Sequence, residues 1–193
     1  MKIYMATSNR HKIEEVNTIF GNFADIKAIS DLIENFSPEE TGSTFIENSV
    51  IKAVTAGNII KKPVISDDSG LCIESLDYFP GINSARYMEG FTYKEKMESL
   101  LEKLKNTDNR KAYFACAATY FDPEKNILIS CEEHVNGKIG YEICGENGFG
   151  YDPFFIPDGF KNTFGVLPAE TKNSLSHRYM AFKKLFELIN KIK

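Results

Sequence analysis

The stretch KKPVISDDSGLCIESL, residues 61–76, places two adjacent aspartates between two apolar runs that are typical of buried strands. Neighbouring carboxylates repel each other and are costly to remove from water. One interpretation is a surface turn between strands at 63–66 and 71–73, because Asp-Ser-Gly is common in turns. The other is a site in which Asp67 and Asp68 face a cation. The doublet by itself leaves both interpretations open.

The periodicity on either side of this stretch predicts a mixture of strands and helices. Helices are predicted over 9–20, with Ile13, Val16, Ile19 and Phe20 on one face, and over 44–60, 93–104 and 176–192. Strands are predicted at 2–6 and 25–29, with 112–121 and 127–135 as a long antiparallel pair, and residues 144–160 are predicted to be a glycine- and aromatic-rich loop around a short strand. Thr44 and Glu47 form a capping box at the start of the second helix. The order lacks the regular alternation of a doubly wound fold, so we expect an α/β protein with a mixed sheet.

Length and composition narrow the class of protein. The chain has 193 residues, which predicts one domain or one domain with two lobes. Its formal net charge of −4 argues against broad binding to nucleic acid. The four cysteines form no C-x-x-C pair, so a zinc site is not expected, and Cys72 and Cys116 are predicted core residues. With no signal peptide and no apolar run of membrane-spanning length, we expect a cytoplasmic protein without membrane contact.

Two predicted helices begin with cations, where a helix normally prefers acidic residues. The first has Arg10, His11 and Lys12 in its opening turn, and the last opens with His177 and Arg178. A helix N-terminus after a strand is already suited to anions, and added cations strengthen this interpretation. The alternative is that these side chains extend into water at small cost.

The first of these turns matches neither of the common glycine-rich phosphate motifs. If it binds phosphate, it must use Ser8, Asn9, Lys12 and backbone N–H groups. On the second helix, Lys52 lies four residues after Asn48 and shares a face with it. Lys52 could point inward after the apolar Val50 and Ile51, or extend into solvent.

Further acidic and aromatic residues could complete a site. Glu39 and Glu40 form a second acidic pair, and magnesium commonly takes one or two carboxylates together with phosphates and water. A solvated loop is the other interpretation of this pair. In NGFGYDPFF, Phe149, Tyr151 and Asp152 could stack on a flat base and hydrogen-bond its edge, or form a packed hydrophobic corner.

These segments occur together in one order, and in that order they resemble a known family. TSNRHK, EETGSTFIENSVIKA, SDDSGLCIESLDYFPGINSARY, GFGYDPFFIP and SHR are similar to the inosine triphosphate pyrophosphatase family, also called Ham1-like or XTP/dITP diphosphatase, in its bacterial-type branch. The resemblance runs from Ala6 to Arg178. It departs from the family where Ser8 replaces a common glycine, which removes easy access to positive φ.

The resemblance implies a fold and an activity. The expected fold is an elongated, two-lobed α/β domain over residues 1–193, with a long central mixed sheet flanked by helices and a nucleotide-binding cleft. The expected activity is magnesium-dependent hydrolysis of ITP, dITP and XTP to the monophosphate and pyrophosphate, which cleanses the nucleotide pool. A homodimer is also implied.

The resemblance also implies site residues. Asp68 would be the catalytic base and a metal ligand, with Asp67 beside it at a strand end and Glu39 or Glu40 as the other metal ligand. Arg178 could donate to the 6-keto oxygen of the base. The substrate-binding residues would be Thr7, Ser8, Asn9, Arg10, His11, Lys12, Lys52, Ser69, Phe149, Gly150, Tyr151, Asp152, Lys172, His177 and Arg178.

Two other functions remain open at this point. A Maf-like pyrophosphatase would act on modified pyrimidine nucleotides, although GFGYDP and SHR argue against it. A nucleotide-binding protein without catalysis would not need the acidic doublet with Asp68.

Overall fold

The computed structural model describes residues 2–20 and 24–192, with the side chains of Ile19 and Phe20 outside that description. The predicted inward position of those two side chains is therefore not addressed. The described strands are β1 Lys2–Met5, β2 Asp25–Ala28, β3 Val64–Ile73, β4 Lys111–Asp122, β5 Ile127–Ile139 and β6 Phe155–Pro157. The described α-helices are α1 Arg10–Phe20, α2 Phe45–Ile60, α3 Tyr93–Lys103, α4 Ala169–Leu175 and α5 His177–Lys191.

The strands form one six-stranded mixed sheet in the order β2-β1-β3-β4-β5-β6. Strand β1 pairs in parallel with β2 and with β3, whereas β5 and β6 are antiparallel. The neighbouring strands β4 and β5 are joined by residues 123–126, a connection too short for a parallel pair. The predicted mixed α/β fold and its long hairpin are therefore confirmed.

The interpretation of the acidic doublet as a turn is wrong, and so is its predicted place at a strand end. Strand β3 runs without a break through Val64–Ile73, so Asp67 and Asp68 occupy its middle. Both are buried, with 1% and 7% of their surface exposed. An uninterrupted strand can carry two carboxylates only if each is compensated by other groups.

The chain divides into two compact units. The first takes the chain up to Asp68, Cys116–Glu133 and the part from His177 onward, and the second takes Ser69–Ala115 and His134–Ser176. Strands β3, β4 and β5 each contribute residues to both units.

In the first unit, alternation along the strands separates two apolar clusters. One contains Ile3, Met5 and Ile65 together with α1 and α5 residues such as Val16 and Phe182. The other contains Tyr4, Val64 and the α2 residues Ala53 and Ala56. Because successive side chains of a strand point to opposite faces, α1 and α5 cover one face of this part of the sheet and α2 covers the other.

The second unit has an aromatic core. Phe155 packs against Phe114 and Phe164, with ring centroids 4.6 and 5.4 Å apart, and Phe154 stacks near Tyr151 at 5.8 Å. The phenylalanines 154, 155 and 164 are fully buried. The predicted core residues Cys72 and Cys116 are buried as well, in the second and the first unit respectively.

The observed helices agree with those predicted from the sequence, apart from one additional short helix near the C-terminal end. Helix α2 begins with the predicted capping box, in which Thr44 accepts from the Glu47 backbone and Glu47 accepts from the Thr44 backbone. Helix α4 was not predicted, because its seven residues follow a proline and show no apolar periodicity. Within the described residues, no helix is both long and apolar enough to span a bilayer.

Thr44→Ala should lower the free energy of unfolding by about 1 kcal/mol, because it leaves helix α2 without its side-chain cap. Thr41→Ala, three residues away on the same exposed loop, should change it by less than about 0.5 kcal/mol. Urea unfolding followed by circular dichroism measures both. Equal losses in the two variants would show that the capping box contributes nothing specific.

Candidate active site

Asp67 is held by two cations on the α1–α5 face of the sheet. Its Oδ2 lies 2.9 Å from Lys12 Nζ and accepts from Nε and Nη2 of Arg178, each at 3.2 Å. Its Oδ1 is buried and has no hydrogen-bond partner among the described residues. Lys12 belongs to the opening turn of α1, and Arg178 to that of α5. Asp67 therefore fixes both cation-rich helix starts to strand β3.

Arg178 is compensated by a second carboxylate. Its Nη1 donates to Glu15 Oε2 on α1 at 2.5 Å, and only 1% of Arg178 is exposed. Burial alone would lower the pKa of Arg178, but Asp67 and Glu15 outweigh burial and raise it. For Asp67, burial acts to raise the pKa, but Lys12 and Arg178 lower it well below its usual value. This network keeps the arginine and the aspartate charged inside the protein.

Asp68 points to the opposite face, toward α2. Its Oδ1 accepts from Lys52 Nζ at 3.0 Å, and the same nitrogen donates to Glu40 Oε1 at 2.5 Å. Lys52 is 8% exposed, so it points inward and not into solvent. Two carboxylates therefore converge on one ammonium group within the first unit.

The electrostatics of this cluster differ from those around Asp67. Burial, which raises the pKa of Asp68, outweighs the opposing effect of Lys52 and Lys12. For Lys52, burial would lower the pKa, but Asp68, Asp67 and Glu40 raise it. Lys52 is therefore protonated, while the carboxyl of Asp68 takes up a proton more readily than an ordinary aspartate. Such a group is suited to accept a proton in a reaction.

The structure distinguishes the two candidate glutamates. Glu40 is partly buried against Lys52, whereas Glu39 is exposed. Across residues 2–20 and 24–192, no three acidic, histidine or cysteine side chains form a ready-made metal cage. Magnesium does not need one, since it commonly takes one or two carboxylates and completes its shell with phosphates and water. Glu40 and Asp68 fit that requirement, because both are close enough to share the Lys52 ammonium.

Asn48 connects the Glu40 loop to Asp68. Its Oδ1 accepts from Gly42 N at 2.8 Å, and its Nδ2 donates to Asp68 Oδ2 at 3.4 Å. A Cβ at position 42 would lie 2.7 Å from Asn48 Oδ1, so only glycine fits there. The loop is thereby drawn against the first turn of α2, on the face that carries Lys52.

The segment Thr7–Lys12 forms the connection from β1 into α1. The Asn9 N–H donates to Thr7 Oγ1 at 3.1 Å, and Asn9 Oδ1 accepts from His11 N at 3.0 Å. These bonds shape the turn and cap the helix. Ser8, Arg10 and His11 are exposed. The predicted helix starts with cations are confirmed, because α1 begins at Arg10 and α5 at His177, and neither first turn contains an acidic residue.

The second unit contains its own buried ion pair among the predicted residues. Asp152 Oδ2 accepts from Lys172 Nζ and from Phe149 N, each at 2.7 Å. The Lys172 ammonium also lies 4.8 Å from the centre of the half-buried Phe149 ring. Gly148 and Gly150 have φ of 75° and 66°, and a Cβ on Gly148 would lie 2.2 Å from the Asp152 carboxylate. The glycines therefore let the loop close around Asp152.

Other predicted residues are placed as follows. Tyr151 is buried, donates to Ser84 O at 2.9 Å and meets Tyr93 edge-on at 5.2 Å, so it packs within the second unit. Burial raises its pKa. Ser69 is half-buried on β3 after Asp68, and His177 is buried at the start of α5. Substrate contacts by these residues and by Arg178 stay predictions.

Sequence reasoning did not assign Glu15 and Asn48 to the site. Asn48 had a weak signal, because it lies four residues before Lys52 on one helix face. Glu15 lies three residues after Lys12, which is also helical-face spacing. The spacing alone does not reveal the partners of these side chains, and it is equally typical of solvated helix residues.

The fold and the site define a class: an α/β protein that gathers carboxylates and cations around the middle of one strand. Comparisons with known proteins identify the family. The family model described as the Ham1 family matches residues 3–188, so the chain belongs to this family.

Individual relatives agree with the family assignment. The chain is 42% identical to the dITP/XTP pyrophosphatase of Dictyoglomus thermophilum over 95% of this chain and 91% of the relative. It is also 42% identical to the dITP/XTP pyrophosphatase of Treponema denticola over 98% of both. The solved structure of the Staphylococcus aureus Ham1 protein is similar with a TM-score of 0.90 and 39% identity over 100% of both chains.

Asp67→Asn should lower the free energy of unfolding by about 3–5 kcal/mol at pH 7, because it leaves half-buried Lys12 and buried Arg178 without their shared anion. Since the folded protein lowers the pKa of Asp67, its contribution is complete above the ordinary aspartate pKa of about 4 and is lost at lower pH. The difference between parent and variant should therefore shrink as the pH falls below that value.

Urea unfolding at pH 7 and in a series down to about pH 3 measures this difference. Asp25→Asn is the matched control, because Asp25 pairs with Lys27 on the exposed surface. It should change stability little at any pH. A gap between parent and Asp67→Asn that stays constant with pH would contradict the charged role of Asp67.

Proposed function

We propose that this chain hydrolyses the triphosphates of deaminated purines, ITP, dITP and XTP, to the monophosphate and pyrophosphate, and so removes them from the nucleotide pool. The observation that carries the proposal is the Glu40–Lys52–Asp68 cluster on one face of β3. Membership of the Ham1 family and the activity of the two dITP/XTP pyrophosphatases that are 42% identical support the same substrate class.

The metal in this proposal is magnesium, held by Asp68 and Glu40. When bound, it would neutralise phosphate charge and polarise the bond to be broken. Lys52 balances only one of the two carboxylate charges, so the cluster would favour a divalent cation, and the same ammonium would lie close to the metal-bound phosphates. Glu39 is a weaker candidate ligand, because its side chain is exposed.

Asp68 acts as the general base in the proposed reaction. Water attacks phosphorus and gives its proton to the Asp68 carboxylate, while the bridging P–O bond between the α- and β-phosphates breaks and pyrophosphate leaves. Burial has already raised the pKa of Asp68, which brings it closer to the value a base needs near neutral pH. Asn48 holds the other Asp68 oxygen and fixes the orientation of the carboxylate.

The remaining substrate contacts are assigned by type of ligand. Thr7, Ser8, Asn9, Arg10, His11 and Lys12 are proposed for the triphosphate, because they open a helix with cations and no acidic residue. Phe149, Gly150, Tyr151, Asp152 and Lys172 are proposed for the base, with Ser69, His177 and Arg178 as further contacts. Of these, Phe149 offers a half-buried ring, whereas Tyr151 is largely occupied by packing.

The proposal extends to the setting of the enzyme. A homodimer and a nucleotide-binding cleft in a two-lobed domain are carried over from the resemblance, and a cytoplasmic location from the cysteine pattern, which is typical of a reducing compartment.

The proposed activity is tested with purified protein and a panel of ITP, XTP, dITP, ATP and dTTP, with and without magnesium. Chromatography should show IMP and pyrophosphate from ITP only when magnesium is present, with little product from ATP. Asp68→Asn should lower kcat by about 10²–10⁴, because an amide cannot accept the proton.

Three other results of this assay would contradict the proposed activity. IDP and orthophosphate as first products would contradict the reaction type. Preference for dTTP would favour a Maf-like enzyme, and tight ITP binding without turnover would favour a binding protein.

Glu40→Gln should raise the magnesium concentration for half-maximal activity at least about tenfold, because it removes one of two carboxylate ligands. Glu39→Gln is the matched control, with the same chemical change one residue away on an exposed side chain, and should behave like the parent. Magnesium titration of ITP turnover measures both. A larger shift in Glu39→Gln than in Glu40→Gln would reverse the assignment of the ligand.

A further inference from the structure

The second unit contains a cavity of about 610 Å³ where β4 begins and β5 ends. Residues 108–111, residues 138–141 and Ile156 line it. None of the residues proposed to bind metal or substrate belongs to this lining. Its volume falls within the range of about 300–1,000 Å³ that is usual for small-molecule sites. The cavity is therefore large enough for a nucleotide-sized ligand.

Arg110 lies in the wall of this cavity as a buried cation. It is 7% exposed and donates to the backbone oxygens of Ile139 at 2.9 Å, Gly140 at 2.6 Å and Leu104 at 3.3 Å. In the part of the chain that the structure describes, no carboxylate forms an ion pair with it. Burial accordingly lowers the pKa of Arg110. Because no carboxylate among the described residues balances it, Arg110 adds positive potential beside the cavity.

Two further cations border the same cavity. Ile139 N donates to Arg110 O at 2.9 Å, which places Lys111 and Lys138 opposite each other on the antiparallel strands β4 and β5. Both lysines are exposed, and neither forms an ion pair within 2–20 or 24–192. Like charges opposite each other on neighbouring strands are destabilising. Against these three cations, the lining contributes one carboxylate, Asp108.

An aromatic ring accompanies the cations. The Tyr141 ring centre lies 4.5 Å from Arg110 Cζ, and 79% of this residue is exposed. Ile156, which pairs with Lys138, adds apolar surface to the lining. Positive charge beside an open aromatic face is the combination that binds a phosphate and stacks a base. An inorganic anion would contact only the cations of the lining and not the Tyr141 ring.

We propose that this cavity is a second nucleotide site, which binds a nucleoside monophosphate with its phosphate near Lys111 and Lys138 and its base on Tyr141. The ligand is bound there and not converted. The proposal uses only residues of the second unit and does not depend on the proposed hydrolase activity.

Amide NMR shifts of the full chain, titrated with IMP in the absence of divalent cations, test the site. Amides within 108–111 and 138–141 should shift and saturate together. Lys111→Gln with Lys138→Gln should raise the Kd of those shifts at least about tenfold, equivalent to about 1.4 kcal/mol. Lys103→Gln with Lys161→Gln, an equal change of charge at exposed lysines outside the cavity, should leave the Kd unchanged.

Inorganic phosphate and inosine, which each contain only part of IMP, show which part of the ligand each side of the cavity binds. Tyr141→Ala should weaken IMP by about tenfold and leave inorganic phosphate unaffected, because only the base stacks. Inosine should bind more weakly than IMP. The proposal is overturned by an absence of saturable shifts at the cavity, by equal Kd values in the two double variants, or by equal affinity for IMP and phosphate. Shifts that follow protein concentration and not IMP would assign this face to a second copy of the chain.

The result of the cavity titration can be distinguished from the result of the ITP hydrolysis assay. Turnover of ITP by Lys111→Gln with Lys138→Gln should equal that of the parent, since neither residue is proposed for catalysis. A protein that failed to hydrolyse ITP but showed the cavity titration would contradict only the hydrolase proposal.

Discussion

The alternation of side chains along β3 is the constraint on which the first unit depends. Two adjacent carboxylates in the middle of a buried strand would repel each other if they faced the same way. Since successive side chains point to opposite faces, Asp67 meets Lys12 and Arg178, while Asp68 meets Lys52. Each aspartate therefore has its own compensating cations, and the strand continues without a turn.

The two halves of this arrangement have different consequences. On one face, Asp67 and Glu15 neutralise Arg178, which closes a network between α1, β3 and α5 and explains why cations open two helices. On the other face, one lysine is shared between two carboxylates. The first network is balanced in charge, although one Asp67 oxygen has no hydrogen-bond partner among the described residues, whereas in the second two carboxylates face one cation.

The second unit also compensates a buried carboxylate with a buried cation. Asp152 and Lys172 are both buried and are paired at 2.7 Å, and the Phe149 backbone supplies a further donor. Arg110 differs, because backbone oxygens surround its guanidinium and no carboxylate neutralises it among the described residues. Its charge adds to the positive potential of the adjoining cavity, in which Lys111 and Lys138 are the exposed cations.

The sequence by itself determined the class of fold, most element positions and the family. Periodicity located α2 and the β4–β5 hairpin because both have long apolar patterns, and the capping box fixed where α2 begins. It also selected Lys12, Lys52 and Asp68 as functional candidates, because those residue types suit phosphate and metal chemistry.

Only the tertiary structure decided how those residues are paired. A turn at Asp67 and Asp68 was compatible with the local sequence, because local propensity contains no information about residues far along the chain. The cations that compensate the two aspartates belong to residues 12, 52 and 178. The choice of Glu40 over Glu39 depends on which neighbour faces Lys52, and Glu15 and Asn48 gain meaning only through partners distant in sequence. The unpaired charge of Arg110 is likewise invisible in the sequence, because whether a buried cation is neutralised depends on every chain segment that folds around it.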